Sequence, residues 1–305
     1  MVQHCSTESS CGAAISFSEL PANTARLTVG FYNVGIQLTE LSGKKWPSKQ
    51  SALKADIIKA FDTHALDILC LCELGELGVG IAAGLPDRNV GAWMTELLRD
   101  SAIPPVHIST EGHYLTIAKT SRVKVDRDSL VQGFDDNNTD RSFQHLRVFV
   151  AGDDVPISII NCHAPSSKKR ALTASCRKRY LSAAHNVCAG DRFVWGGDFN
   201  TGCIQFTAIM NGIDSRYTSL QVLYSHLMTA RNGDMAFSYG LGAIQINSAV
   251  GKSHNGVSDA HDLVIASVFA THGSLRPSAK RTPTRTECGF QKKRLRSATS
   301  AIPAS

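Results

Sequence analysis

Apolar and polar positions change rhythm several times along the chain, and each rhythm points to an element. Leu27 to Val34 (LTVGFYNV) is rich in β-branched and aromatic residues and predicts a strand. Ser48 to Ala65 places Leu53, Ile57, Ile58 and Phe61 on one face of a helical period and predicts an amphipathic helix. Asp67 to Leu74 (DILCLCEL) is continuously apolar up to its penultimate residue, the pattern of a strand buried on both faces. Asp87 to Ser101 predicts a second helix with Trp93, Leu97 and Leu98 inward. The texture then changes. HYLTIAK, RVKVDRD, HLRVFVA and VPISIINCH follow one another across short polar gaps, a run of antiparallel strands. A helix over Lys169 to Cys188, a strand in RFVWGGDF and closing strands in AIQINSA and LVIASVF complete the set. Strands with helices inserted in both halves predict an α/β protein, a layered sandwich. The expected organisation is a leader without periodicity over 1–26, one domain over 27–272, and a tail over 273–305.

Composition narrows the class. The 305 residues are 43% hydrophobic and 19% charged, which excludes collagen-like, coiled-coil and mostly disordered chains. The most apolar stretch, Leu66 to Pro86, is interrupted by Asp67, Glu73 and Glu76, so no membrane span is expected. No Lys or Arg precedes Arg26, so the charged start of a secretory signal is lacking and an intracellular, soluble protein is expected. Nine cysteines, at 5, 11, 70, 72, 162, 176, 188, 203 and 288, are odd in number, irregular in spacing and without a CxxC pair. They read as small buried hydrophobes in a reducing compartment rather than a disulfide framework or a zinc site.

The net charge of +6 is concentrated. Eight basic residues against Glu287 give 273–305 a charge of +7 and leave −1 for the other 272 residues. That tail is rich in Ser, Thr and Pro and is expected to be disordered; its KKRLR run is compatible with nuclear import or with binding a nucleic-acid backbone. A second basic cluster, Lys168, Lys169 and Arg170 followed by Arg177, Lys178 and Arg179, comes directly after the INCHAP segment.

Polar residues sit at the ends of the apolar strands, where active sites of layered α/β proteins are assembled. They are Asn33 closing LTVGFYN, Glu73 closing DILCLCE, His163 in INCHAP, Asp198 and Asn200 in GGDFN, and Asp259, His261 and Asp262 in SDAHD. Glu73 with Asn33 suits a hard, oxygen-preferring ion such as Mg²⁺ that would neutralise a phosphate. Asp198 at a Gly-Gly turn could take a proton from water while Asn200 orients it. Two histidines could donate hydrogen bonds to a developing oxyanion, each requiring a carboxylate to fix its tautomer; Asp234 in NGDMAF is the candidate for His261.

In order, NVG, LCLCELGE, INCHAP, GGDFN and SDAHDLV resemble the motif series of the endonuclease/exonuclease/phosphatase superfamily, over Leu27 to about Phe269. The resemblance implies a four-layered, deoxyribonuclease I-like sandwich of two mainly antiparallel or mixed sheets flanked by helices, and Mg²⁺-dependent attack of water on a phosphoester, with Mn²⁺ as an alternative ion. It implies catalytic roles for His163, Asp198, Asn200, Asp234 and His261. Asn33, Lys168, Lys169 and Arg170 would contact phosphate, and Glu73, Asn33 and Asp259 would hold the metal. Two departures stand out. Cys72 occupies the position where the family carries Gln, and Ala260 separates Asp259 from His261 where the family reads Ser-Asp-His. On a strand that insertion turns Asp259 to the opposite face unless a bulge restores it, and it puts turnover in question. The segment between Asn200 and Asp234 is short, an expected reduction of the substrate-binding loop. The expected function is metal-dependent phosphodiester hydrolysis on nucleic acid, DNA or RNA, with the basic residues tracking the backbone. The alternatives are an inositol or lipid phosphate phosphatase of the same fold, and a catalytically weakened relative that binds nucleic acid.

Overall fold

Strands that are apolar on both faces must be covered on both faces, and that requirement builds the layers of this protein. A computed structural model describes residues 25–36, 46–74, 106–132 except 112 and 113, 142–165, 170–188, 191–217 except 216, 222–224, and 233–269 except 247, 249, 253, 254 and 259. The expected leader, the expected helix over Asp87 to Ser101 and the basic tail lie outside the described residues. Among the described residues no helix is long and apolar enough to cross a membrane.

The first sheet contains β1 (Arg26–Ile36), β2 (Ile68–Leu74), β3 (Val106–Glu111), β4 (Tyr114–Lys119), β11 (Gly242–Ile246) and β12 (Val264–Phe269), in the order β11-β12-β1-β2-β4-β3. The second contains β5 (Val123–Gln132), β6 (Ser142–Val150), β7 (Ile157–His163), β8 (Arg192–Asp198), β9 (Val222–Tyr224) and β10 (Asp234–Tyr239), in the order β5-β6-β7-β8-β10-β9. Each six-stranded sheet has one parallel pair, β1 with β2 and β7 with β8, and is otherwise antiparallel.

The period of two along each strand assigns residues to three cores. Leu27, Val29 and Phe31 of β1, Ile68 and Cys70 of β2, Ile157 and Ile159 of β7, and Val194 of β8 fill the space between the sheets. Alternate residues of the first sheet (Tyr32, Val34, Leu69, Leu71, Ile117) pack on Leu53, Ile57, Ala60 and Phe61 of α1 (Trp46–His64). Alternate residues of the second (Phe143, Ile160, Cys162, Phe193, Trp195, Phe237) pack on Tyr180, Leu181 and Ala184 of α2 (Arg170–Cys188), and on Phe206 and Met210 of α3 (Cys203–Ile213). Helix, sheet, sheet, helices: the four layers are those the resemblance implies.

Four elements differ from the sequence reading. β3 and β10 are six-residue strands that follow, or lie beside, better-marked ones. The segment read as a short connection between Asn200 and Asp234 carries α3 and β9. Its helix has Ile204, Thr207, Ile209 and Gly212, weak helix formers, and its N-cap Gly202 makes no side-chain hydrogen bond. Tertiary burial sustains it: Phe206 and Met210, four residues apart, are both completely buried, and the Phe206 ring lies 4.8 Å from Phe199 and 5.0 Å from Phe237.

The two sheets approach each other tightly at Gly196, where an added Cβ would stand 2.1 Å from the Phe31 ring. Gly196→Val is therefore expected to destabilise the protein by about 2 kcal/mol or more through overpacking. Thermal unfolding checks this, with an expected fall in Tm of roughly 4–8 °C for a domain of this size.

Candidate active site

Six polar side chains gather where the inner faces of the two sheets end. β1, β2, β7 and β8 deliver their C-terminal ends to one edge of the sandwich. β10 begins there, because it runs antiparallel to β8 with Asp234 paired to Asp198, and the turn that carries His261 enters β12 there. By the alternation that puts Phe31, Ile159, Val194 and Ala236 between the sheets, Asn33, His163, Asp198 and Asp234 point into the same gap. Glu73 breaks that alternation. Cys72 pairs with Asn33 and Leu74 with Ile36, so Val34 and Gly35 both lie opposite Glu73 in a β-bulge, and Glu73 itself has a left-handed φ of 58°. A left-handed glutamate costs of order 1–3 kcal/mol. The backbone turn swings its carboxylate away from α1 and onto His163 of the other sheet, with Oε1 2.9 Å from Nε2.

Asp198 is the best-held carboxylate. The preceding Gly197 has φ 125°, and a Cβ there would stand 2.0 Å from the Cys162 carbonyl, so the turn requires glycine. Asp198 Oδ1 accepts a hydrogen bond from the Asn200 backbone N–H at 2.7 Å, and Oδ2 accepts one from Asn33 Nδ2 at 3.3 Å. Asn33 is fixed in turn by the Gly35 N–H, which donates to its Oδ1 at 3.0 Å. Asn200, itself left-handed with φ 50°, donates from Nδ2 to the Ala164 carbonyl at 2.9 Å and ties the turn to the end of β7. Asn tolerates that conformation better than most residues.

His261 Nδ1 lies 2.7 Å from Asp234 Oδ2, the pairing expected from sequence. Burial pushes the Asp234 carboxyl up to about 7, against the opposing hydrogen bond and charge of His261. Burial opposes a charge on His261, but the hydrogen bond and charge of Asp234, with Asp198 and Glu73 beyond it, outweigh burial and raise the imidazole above its ordinary value.

The segment bearing His261 is a turn, not a strand: β12 starts at Val264. The Ser258 hydroxyl accepts the backbone N–H of His261 at 3.1 Å and of Ala260 at 3.4 Å. The face of residue 259 is therefore not set by strand alternation, which corrects the reading of the Ala260 insertion; Asp259 itself lies outside the described residues. The turn is braced from the far side of the sheet. Asp56 of α1 accepts the Val257 N–H at 2.8 Å and the Tyr32 hydroxyl at 2.9 Å, and Tyr32 accepts the Ser258 N–H at 3.1 Å.

Three supporting residues, Tyr114, Tyr180 and Asn161, were not singled out from sequence, and Arg177 was named only within its basic cluster. The His163 N–H is shared by the hydroxyls of Tyr114 and Tyr180, at 3.1 and 3.2 Å, and both hydroxyls donate to the Ser142 carbonyl. Asn161 donates from Nδ2 to the Leu71 carbonyl at 2.9 Å and so stitches the two sheets together beside Glu73. Arg177 of α2 donates from Nε to the Pro165 carbonyl at 3.2 Å. The tyrosines gave no signal because they read as core aromatics; the one available sign was a polar Asn within the apolar run IINCH. Lys168 and Lys169 lie outside the described residues, as does the side chain of Arg170.

The donor set fits a hard divalent ion. Asp198, Asp234 and His261 each offer a ligand atom within 4.8 Å of the others, and Glu73 adds a partly exposed carboxylate. Among the described residues no lysine or arginine forms an ion pair with Asp198 or Asp234. A donor set dominated by carboxylate oxygens favours Mg²⁺ or Mn²⁺ over softer ions.

No family model matches the sequence, and no curated protein matches it. Solved structures do. Most of the chain superposes on ANGEL2, a 2′,3′-cyclic phosphatase, in complex with adenosine-2′,3′-vanadate, with TM-score 0.57 and 14% identity over 82% of this chain and 97% of that one. The human Nocturnin catalytic domain with bound sulfate gives 0.56 and 14% over 81% and 95%. D. rerio TDP2 humanized by 14 mutations gives 0.53 and 15% over 81% and 100%. Identity at this level speaks for architecture alone, and the chain has the deoxyribonuclease I-like fold of the endonuclease/exonuclease/phosphatase superfamily.

Proposed function

We propose that the protein is a metal-dependent phosphodiesterase acting on nucleic acid. One observation carries this reading: the His261–Asp234 pair, the Asp198 carboxylate and the Glu73–His163 pair meet at the open edge between the sheets. Asp198 is held by two hydrogen bonds at the open edge and is the carboxylate placed to accept a proton from water. Asn33 and the Asn200 turn fix its orientation. Donation of Nδ1–H to Asp234 leaves Nε2 of His261 as the ring atom that meets charge developing on a phosphate oxygen. His163 serves the same charge from the other sheet, with Glu73 holding its ring. Glu73, with Asn33 beside it, would hold Mg²⁺ or Mn²⁺, and the ion would supply neutralisation of phosphate charge. Nucleic acid is favoured over a small phosphorylated molecule by Lys168, Lys169 and Arg170 following INCHAP and by the +7 tail. The adenosine-2′,3′-vanadate carried by ANGEL2 is in keeping with a nucleotide substrate.

The first test is Mg²⁺-dependent cleavage of supercoiled plasmid, an abasic duplex, single-stranded RNA, RNA ending in a 2′,3′-cyclic phosphate, and inositol polyphosphates. Cleavage of a nucleic acid is expected. Asp198→Asn should lower its rate by about 10²–10⁴-fold with thermal stability retained, and turnover surviving that change would remove Asp198 from the mechanism. Glu73→Gln should raise the Mg²⁺ concentration for half-maximal rate, read from a metal titration of the same assay. Asp234→Asn and His261→Ala should each impair kcat, and the double variant should be scarcely worse than His261→Ala alone, because the aspartate acts through the histidine. Additive losses would mean that the two act independently.

A further inference from the structure

We propose that Arg177 of α2 is a phosphate-binding residue of this site, its guanidinium gripping the substrate phosphate beside Asp198. The inference deepens the phosphodiesterase reading and rests on it for the identity of the substrate, though not for the existence of an anion site.

Two partly buried arginines, Arg147 and Arg192, and the exposed Arg122 have carboxylate partners. Arg192 reaches Asp153 at 2.7 Å, Arg147 reaches Asp126 at 3.2 Å and Asp191 at 3.7 Å, and Arg122 reaches Asp67 at 3.2 Å. Arg177 is partly buried in the same way, yet among the described residues its only hydrogen bond is from Nε to the Pro165 carbonyl, at 3.2 Å. Both terminal nitrogens of its fork are left for another acceptor. A guanidinium taken partly out of water without a counter-charge is unfavourable, and here burial pulls its pKa down while the Asp198 charge opposes that fall. The arrangement costs stability in the free protein and is relieved by an anion.

The place of the fork identifies which anion. Pro165 lies two residues beyond His163. The intervening Ala164 donates its N–H to the Asp198 carbonyl at 2.8 Å and accepts Asn200 Nδ2 at 2.9 Å. Arg177 therefore anchors on the strap that links His163 to the Asp198 turn. That anchor sets the guanidinium against the strap that ends at the Asp198 turn, and among the described residues no ion pair neutralises Arg177 or Asp198. A planar fork of donors fits two oxygens of a phosphate in a way a lysine ammonium does not. The helix separates its basic triplet accordingly: Arg177 is tied to the strap, Lys178 is exposed, and Arg179 donates to Cys176 Sγ.

The test uses the full chain, with inorganic phosphate as the probe in titration calorimetry in the presence of Mg²⁺, alongside turnover on the best nucleic-acid substrate. Arg177→Gln and Arg177→Lys are both compared with the unmodified protein, and thermal unfolding reports whether each is folded. The expected result is a Kd for phosphate raised about 10- to 100-fold in Arg177→Gln. A comparable fall in kcat/KM should follow, and Arg177→Lys should recover only part of either loss. Asp198→Asn separates the two ideas, since it should abolish turnover and leave phosphate binding in place. Absence of turnover on every substrate, with phosphate binding that depends on Arg177, would defeat the phosphodiesterase reading and keep the anion site. A folded Arg177→Gln or Arg177→Lys variant with the phosphate affinity of the unmodified protein would overturn the proposal, as would a protein that binds no phosphate.

Discussion

Face-to-face contact between the two sheets is the constraint on which the rest of this structure depends. At Gly196 the second sheet has no side chain, and the Phe31 ring of the first occupies the space a Cβ would fill. That contact brings the sheets together just below their open edge. Inner-face residues one or two positions further along then meet across a gap too narrow for bulk water but wide enough for polar groups: Asn33 reaches Asp198, and Glu73 reaches His163. Interdigitated apolar side chains fix the separation to within fractions of an ångström, because a packed core has little freedom to expand. Hydrogen-bond geometry between groups on opposite sheets inherits that precision, and catalytic constellations need it.

The same burial that gives precision carries an electrostatic cost, and the polar groups are arranged to offset it. Asp198 and Asp234 are both buried and are register partners on adjacent strands. Two such carboxylates could not both stay charged unaided. Asp198 is served by a backbone N–H and an amide, while Asp234 is paired with the imidazole of His261, so the two acids have different partners. Divergent treatment of neighbouring acids is the usual way one site provides both a proton acceptor and a proton-bearing group. Left-handed backbone at Glu73 and Asn200 belongs to the same economy, since both non-glycine residues are strained where their side chains must be aimed.

Much of this was legible in the sequence, and the part that was not has physical reasons. Continuous apolar runs disclosed β1, β2, β7, β8 and β12, because strands covered on both faces have little choice of composition. Strand-end polar residues disclosed the six side chains of the site, and NGDMAF disclosed the partner of His261. What escaped depends on tertiary context. α3 is helical because an aromatic cluster buries Phe206 and Met210, not because its residues favour helix. The hydroxyls of Tyr114 and Tyr180 act on the His163 backbone, a contact that no period reveals. The face of the residue before Ala260 was read from strand alternation, whereas the chain at that point is a turn closed by Ser258.

That turn shows how far the site reaches into the fold. His261 belongs to the gap between the sheets, but its backbone is set by groups on the outer side of the first sheet. Asp56 is buried, and burial raises its pKa against the hydrogen bonds it receives from the Val257 N–H and the Tyr32 hydroxyl. A carboxylate in that position would be poorly tolerated as a packing residue; it is retained next to Leu53 and Ile57 on α1, where it satisfies donors that the turn would otherwise leave unpaired. Tyr32 completes the relay, its ring packed in the outer core and its oxygen accepting the Ser258 N–H. A layer that contributes no side chain to the site thus fixes the entry of β12, and with it the distance from His261 to Asp234. The extra residue in the turn is accommodated because the brace holds both of its flanks, Val257 and Ser258 from α1 and β1, and Lys252 and Leu263 through the paired backbone of 250–252. Ala260 thus sits in a turn whose residues on either side, Ser258 and His261, are each fixed by hydrogen bonds.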